Sequence, residues 1–88
     1  MGSMPAASFE ALQPMTVRLV LQATLRQKFP GLPDPLSTKA TSVGELLDEQ
    51  HIPRSEAAIV FLNGRQAAME SVIHEGDEIR LFPLLGGG

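Results

Sequence analysis

The sequence predicts a single α+β domain in which a mixed β-sheet packs on one main helix. Residues 15–22 alternate between an apolar face and a mixed face, which is typical of a strand. A serine followed by a helically spaced apolar stripe indicates one helix after residue 42, and later apolar segments indicate further strands. One helix on one face of a sheet is an α+β layer architecture, and 88 residues leave room for one core.

The first half of this domain begins with the strand at residues 15–22. Residues 23–29 are ambiguous and are compatible with a short helical turn, and the prolines and glycine of residues 30–35 predict a loop. Residues 36–40 form a weak strand candidate that would pair back on the first strand as a hairpin. The apolar face of the first strand is made by Val17, Leu19 and Leu21.

The helix is predicted at residues 43–51, between a capping box and Pro53. The Ser42 hydroxyl can accept from the amide of Glu45, whose carboxylate can reach back to the cap. The apolar stripe consists of Val43, Leu46 and Leu47. The acidic side chains Glu45, Asp48 and Glu49 form either a solvated helix face or a complement to a basic partner.

Three strands are predicted after the helix. Residues 57–62 are uniformly apolar, which indicates a buried strand, and Asn63-Gly64 then predicts a tight hairpin to a short return strand at residues 65–68. A turn at residues 74–77 precedes the last strand, residues 78–83. On that strand Ile79 and Leu81 share one face, while Arg80 and Phe82 share the other.

The composition excludes several classes of function. The formal net charge is −3, whereas a protein that coats nucleic acid needs a face rich in Lys and Arg. Since the chain has no cysteine, it has no disulfide, thiolate nucleophile or cysteine-ligated metal. No apolar run approaches the roughly 18 residues that span a bilayer. We therefore expect a cytoplasmic protein with neither nucleic acid nor membrane as a partner.

No catalytic residue and no metal site are expected in this chain. The hydroxyl groups of Ser37, Thr38 and Ser42 have no base at a motif spacing. The two histidines, His51 and His74, are too few for a metal centre without further ligands.

Both ends of the chain are expected to lie outside the domain of residues 15–83. Residues 1–14 have little periodicity and indicate a flexible N-terminal extension or a cloning remnant, although Phe9 and Leu12 could dock on the domain. Residues 84–88 form a flexible glycine-rich tail. Its glycines are either incidental or suited to threading into a channel too narrow for side chains, and a terminal carboxylate there would need outside activation to react.

Six segments of the chain form an ordered pattern: Ala23-Thr24-Leu25-Arg26, residues 41–47, residues 60–64, Gly76-Asp77-Glu78-Ile79, Phe82-Pro83 and the final glycines. In their order and spacing they resemble the MoaD/ThiS family of sulfur carriers, which are ubiquitin-like β-grasp proteins. The long connection of residues 27–40 resembles that of the MoaD branch, the molybdopterin synthase small subunit.

The resemblance implies a carrier that acts with partner enzymes and is not itself an enzyme. An adenylyltransferase of the MoeB/ThiF type (E1-like) would use ATP on the C-terminal glycine, Gly88 or Gly87 after trimming, and a sulfurtransferase would supply sulfur to form a thiocarboxylate. Gly86 and Gly87 would thread the tail. The sulfur would then pass to a pterin precursor beside the large, MoaE-type subunit. The chain would bind no cofactor. The alternatives are a ubiquitin-like modifier joined to lysines, a ThiS-like carrier for thiamin or another metabolite, and a non-reactive interaction domain.

A partner interface is expected around the start of the tail. Phe82 would either fill the core or anchor a partner, since aromatic side chains are favoured at interface centres. Arg80 and Arg65 would flank this patch or simply be solvated. The other expected interface residues are Pro83, Leu84 and Leu85.

Overall fold

The fold is taken from a computed structural model that describes residues 14–84. The expectations for residues 1–13 and 85–88, including those for Leu85 and the final glycines, lie outside the described residues. The elements, in chain order, are β1 (Met15–Leu21), α1 (Thr24–Lys28), β2 (Leu36–Thr38), α2 (Val43–Glu49), a 3₁₀ helix (Arg54–Glu56), β3 (Ile59–Leu62), β4 (Arg65–Ala67) and β5 (Glu78–Phe82).

The five strands form one mixed sheet in the order β2-β1-β5-β3-β4. β5 lies in the middle, parallel to β1 and antiparallel to β3, while β2 and β4 are short antiparallel edge strands. This arrangement confirms the predicted α+β class with a mixed sheet. It also places β5 at the centre of the sheet, with a hydrogen-bonded strand on each side.

The core lies between one face of the sheet and the helices. The alternation predicted for the first strand is confirmed, because Val17, Leu19 and Leu21 are all buried. Ile79 and Leu81 of β5 are fully buried in the same cluster. The remaining members of this cluster are Leu25, Leu36, Ala40, Val43, Leu46, Leu47, Ile52, Ala57, Val60 and Ile73.

The main helix ends two residues earlier than predicted. His51 has a left-handed backbone conformation, with φ of 61°, which stops the helix. The chain then turns inward, since the Ile52 amide donates to the carbonyl of Leu47 at 2.9 Å and Ile52 is buried. Residues 23–29, ambiguous in the sequence, form the single-turn helix α1, whose Leu25 is fully buried.

One acidic side chain on α2 connects the helix to the sheet edge. Glu49 was expected to be solvated or to face a partner. It is exposed, yet its carboxylate accepts from the Thr38 hydroxyl and from the Lys39 amide, the latter at 3.1 Å. The Thr38 hydroxyl is otherwise buried and also accepts from the Ala40 amide at 2.9 Å. Glu49 therefore holds α2 against β2.

Of the two hydrogen bonds predicted for the cap of α2, one is confirmed and the other has a different partner. The Ser42 hydroxyl accepts from the Glu45 amide at 3.2 Å. The Glu45 carboxylate, however, accepts from the amide and the hydroxyl of Thr41, at 2.9 and 2.8 Å, and not from the cap residue. These two hydrogen bonds lower the pKa of Glu45 below its ordinary value, because they favour the ionised carboxylate.

The lowered pKa of Glu45 predicts a dependence of stability on acid. A carboxylate with a depressed folded-state pKa stabilises the fold above its unfolded pKa of about 4.3, and this contribution is lost as pH falls through the folded pKa. We expect the stability advantage of the wild type over Glu45→Gln to be full near pH 6 and to shrink steadily below about pH 4. Urea unfolding of both proteins across this range measures it; a pH-independent difference would contradict it.

The predicted hairpin turn is confirmed and is tied to the next turn of the chain. Asn63 and Gly64 both have positive φ, of 53° and 85°. The Asn63 amide group donates to Asp77 Oδ1 at 2.8 Å, and its Oδ1 accepts from the Glu78 amide at 2.9 Å. Asp77 Oδ2 in turn accepts from the His74 amide at 2.8 Å. The turn at residues 74–77 is therefore fixed beside the β3–β4 hairpin.

Replacing Asn63 by alanine is expected to lower the free energy of unfolding by about 1–3 kcal/mol, because two hydrogen bonds are lost and alanine disfavours positive φ. Asn63→Gly is the matched control, since glycine loses the same hydrogen bonds without the backbone strain. Its expected loss is smaller. Denaturant unfolding of both variants tests this, and equal losses would show that the strain contributes nothing.

The prediction that residues 57–62 are a buried strand is only partly correct. β3 begins at Ile59, and within it only Val60 is buried, while Leu62 packs against the core. Ile59 is 42% exposed and Phe61 is half-buried. These two side chains lie on the sheet face opposite the core, and the uniform apolar run concealed this alternation.

Candidate partner-binding site

The sheet face opposite the core carries an apolar patch, which we call the outer patch. It is made by Val20, Ile59, Phe61 and Phe82, one residue from β1, two from β3 and one from β5. The strand register brings them together: Ile59 pairs with Phe82, and both Val20 and Phe61 pair with Arg80. Side chains paired across strands share a face, so the patch surrounds Arg80.

The two aromatic rings give the outer patch a defined shape. The ring centroids of Phe61 and Phe82 lie 5.5 Å apart with an interplanar angle of 76°. This edge-to-face contact holds each ring in place. Both residues are half-buried, and the neighbouring Ile59 is 42% exposed. Apolar side chains that are fixed yet accessible are suited to burial by another protein.

Arg80 supplies a positive charge at the centre of the outer patch. Its side chain is 43% exposed, and its closest carboxylate is Glu78, two residues earlier on β5, at 3.4 Å. Such an exposed ion pair contributes little to stability. The Arg80 guanidinium can therefore turn to a carboxylate of a partner that covers the surrounding apolar side chains.

The residues predicted for the interface separate into three groups. Phe82 and Arg80 lie together on the outer face, and Leu84 is 74% exposed just beyond β5. Pro83 is buried in the chain itself, so its surface is withdrawn from a partner. Arg65 pairs with Leu62, which contacts the core, so Arg65 occupies the opposite side of the sheet from Phe82. The predicted flanking of the patch by Arg65 does not occur.

Sequence reasoning missed three members of the outer patch: Val20, Ile59 and Phe61. The alternation of the first strand already places Val20 on the face away from the core, so the sequence could have identified it. Ile59 and Phe61 were hidden in a uniformly apolar run. Their alternation becomes visible only from the register of β3 against β5, in which buried Val60 pairs with buried Leu81.

The described residues contain neither a candidate metal site nor a candidate membrane span. Between residues 14 and 84, no group of three or more His, Asp or Glu side chains could hold a metal ion. His74 Nδ1 lies 3.8 Å from Asp77 Oδ2, and its side chain is 76% exposed. In the same range, no helix has both the length and the apolar character needed to cross a bilayer.

A five-stranded mixed sheet in this order, with one main helix packed on one face, is the architecture of a ubiquitin-like β-grasp protein. The family model described as the ThiS family matches residues 5–88. The chain belongs to the ThiS family.

Two solved structures share the fold. SAMP1 from Haloferax volcanii is 22% identical, with a TM-score of 0.57, and the match covers 83% of this chain and 99% of that one. The Haloferax volcanii protein HVO 2177 is 23% identical, with a TM-score of 0.59, and the match covers 85% and 88% of the two chains. At these identities the likeness concerns the fold alone. No curated protein sequence matches the chain significantly.

Proposed function

We propose that this protein is a sulfur carrier whose C-terminal glycine is adenylated and converted to a thiocarboxylate. The observation that carries the proposal is membership of the ThiS family, combined with a central strand that is followed, after buried Pro83, by exposed Leu84 and a glycine-rich segment. β5 is held by β1 on one side and β3 on the other. β5, the strand that precedes the tail, is therefore rigid, while Leu84 beyond it is exposed.

The chemistry requires partner enzymes. A glycine carboxylate is anionic at neutral pH and is a poor electrophile. An E1-like adenylyltransferase of the MoeB/ThiF type would use ATP to make the acyl-adenylate and release pyrophosphate. The terminal sulfur of a persulfide on a sulfurtransferase would then attack the acyl carbon and displace AMP, and a thiol would reduce the S–S bond of the resulting acyl disulfide to release the thiocarboxylate. In this proposal the chain supplies no catalytic residue and binds no cofactor or metal.

Apart from Pro83 and Arg65, each predicted site residue has a role in this scheme. Gly88, or Gly87 after trimming, carries the sulfur, and Gly86 and Gly87 thread the tail into the active site of the partner. The outer patch, with Arg80, docks the domain on the partner. Leu84 and Leu85 lead from the domain to the tail.

For the acceptor we propose the molybdopterin branch, in which the thiocarboxylate donates sulfur to a pterin precursor beside a MoaE-type large subunit. The long connection between β1 and α2, with its additional helix α1 and edge strand β2, supports the MoaD-like form. The Phe82-Pro83 ending of β5 supports it as well.

Incubation with a cognate E1-like enzyme, ATP and a sulfur donor tests the proposal. Mass spectrometry of the intact protein is expected to show one oxygen-to-sulfur exchange, located on Gly88 or Gly87. A chain lacking residues 87–88 is the matched control and is expected to remain unmodified. Absence of the exchange with an enzyme that is active on another carrier would exclude the proposal.

The acceptor is tested separately by adding either a MoaE-type subunit with pterin precursor or a thiazole-forming enzyme with its own substrates. Sulfur transfer only with the MoaE-type subunit supports the molybdopterin branch, and transfer only with the thiazole-forming enzyme supports a ThiS-like carrier. The alternative of a protein modifier predicts instead a glycine remnant on target lysines after proteolysis of cell extract.

A further inference from the structure

The C-terminal half of β1 has no paired strand on one side within residues 14–84. Backbone groups along a strand point alternately to its two neighbours. The Arg18 amide donates to the carbonyl of Asp77, in the turn before β5, at 2.9 Å, and the Gln22 amide donates to the carbonyl of Leu81, on β5, at 3.0 Å. Leu19 and Leu21 therefore direct their N–H and C=O groups the other way. On that side β2 pairs only with residues 15–17.

The backbone groups of Leu19 and Leu21 have no hydrogen-bond partner on this open side within residues 14–84. Both residues are nearly buried, with exposed fractions of 6% and 8%. Two N–H and two C=O groups thus repeat along the edge at the spacing of a strand. Backbone groups in such a position are satisfied by water or by another strand.

A cleft of about 370 Å³ lies beside this open edge, between β1 and residues 29–34. Phe29 and Leu32, both packed against the core, form its apolar wall. An exposed ion pair between Arg18 and Asp34, at 3.1 Å, spans the two sides. Pro30, which lines the cleft, restricts the backbone of the far wall. A wall whose backbone is restricted in this way needs little ordering when a ligand enters.

Arg26 gives the cleft its charge. It projects from α1, which follows the Leu21 end of β1, and lines the cleft. Arg18 is engaged by Asp34, whereas Arg26 forms no salt bridge within the described part of the chain. A guanidinium in a cleft, without a salt bridge among residues 14–84, attracts a carboxylate.

We propose that this cleft binds an extended acidic segment of a partner protein, which adds a strand beside β1. The segment hydrogen-bonds to the backbone of Leu19 and Leu21, places an apolar side chain on Phe29 and Leu32, and pairs a carboxylate with Arg26. About three extended residues, roughly 10 Å, span the open edge. Strand addition fits the cleft because its main donors and acceptors are backbone groups at strand spacing.

The open edge is tested first by amide hydrogen exchange in the free, full-length chain. Leu19 and Leu21 are expected to exchange faster than Arg18 and Gln22, whose amides are bonded to the β5 side. Protection of Leu19 and Leu21 that disappears when residues 1–13 are removed would overturn the proposal in favour of the chain's own N-terminal segment. Protection that rises with protein concentration would overturn it in favour of a second copy.

Binding is tested with a random peptide library selected against the full-length chain. The enriched peptides are expected to pair an acidic with an apolar residue two positions apart, and to shift and protect the amides of Leu19 and Leu21. Arg26→Glu is expected to weaken their binding at least about tenfold. Arg65→Glu, a charge reversal at an exposed arginine outside the cleft, should leave it unchanged.

Two outcomes of the selection would overturn the proposal. One is the absence of any peptide that binds at Leu19 and Leu21. The other is binding there that is indifferent to Arg26→Glu. The sulfur transfer test is independent of both, because it requires the tail and not the cleft.

Discussion

Replacing Ile59 by asparagine is expected to lower kcat/KM for adenylation by the proposed E1-like partner at least about tenfold. Ile59 is 42% exposed at the outer patch, directly opposite Phe82. A partner that covers the patch would lose the apolar contact and would bury an amide without a hydrogen-bond partner, at a cost of about 1–3 kcal/mol. A loss of 1.4 kcal/mol is tenfold. ATP–pyrophosphate exchange, which reports adenylation, measures the effect.

The matched control for this variant is Val72→Asn. Val72 is also β-branched and apolar, and it is more exposed than Ile59, at 58%, but it lies outside the outer patch. We expect its kcat/KM to equal that of the wild type. Thermal unfolding of both variants separates lost binding from lost folding. An Ile59→Asn protein that is folded and fully active would show that the outer patch is not the docking surface.

Replacing Leu46 by alanine is expected to lower the free energy of unfolding by about 2–5 kcal/mol. Leu46 lies on α2 and is completely buried in the core between the helix and the sheet. The change removes apolar contacts and leaves a cavity that the surrounding strands can fill only in part. Since small domains have about 5–15 kcal/mol in total, much of the stability would be lost. Urea unfolding monitored by circular dichroism measures it.

Leu84→Ala is the matched control, because it makes the same chemical change at a leucine that is 74% exposed. Its expected effect on stability is within about 0.5 kcal/mol. Comparable losses in the two variants would mean that Leu84 is packed in solution, which would contradict its role as an exposed lead into the tail.

The sequence predicted those elements whose characteristic residue pattern lies within a few consecutive positions. The first strand was assigned from the alternation of Val17, Leu19 and Leu21, and all three are buried. The hairpin turn followed from Asn63-Gly64, whose positive φ values only a few residue types tolerate. The cap of α2 followed from Ser42. In each case the deciding interactions lie within a few residues of the chain.

The composition of the candidate site was only partly predictable. Phe82, Arg80 and Leu84 were recognised because they surround the end of the last strand. Ile59 and Phe61 join them through the register of β3 against β5, which connects residues about twenty positions apart in the sequence. A uniformly apolar run does not indicate which of its side chains face the core, so that choice required the neighbouring strands.

By itself the sequence determined the α+β class, the positions of the turns and helix cap, and the glycine-rich segment, because backbone preferences and hydrophobic period are local properties. Only the tertiary structure decided that Pro83 is buried, that Arg65 lies on the opposite face from Phe82, and that β2 is too short to cover Leu19 and Leu21. Strand pairing and burial depend on contacts between distant segments, and these have no counterpart in the local order of residues.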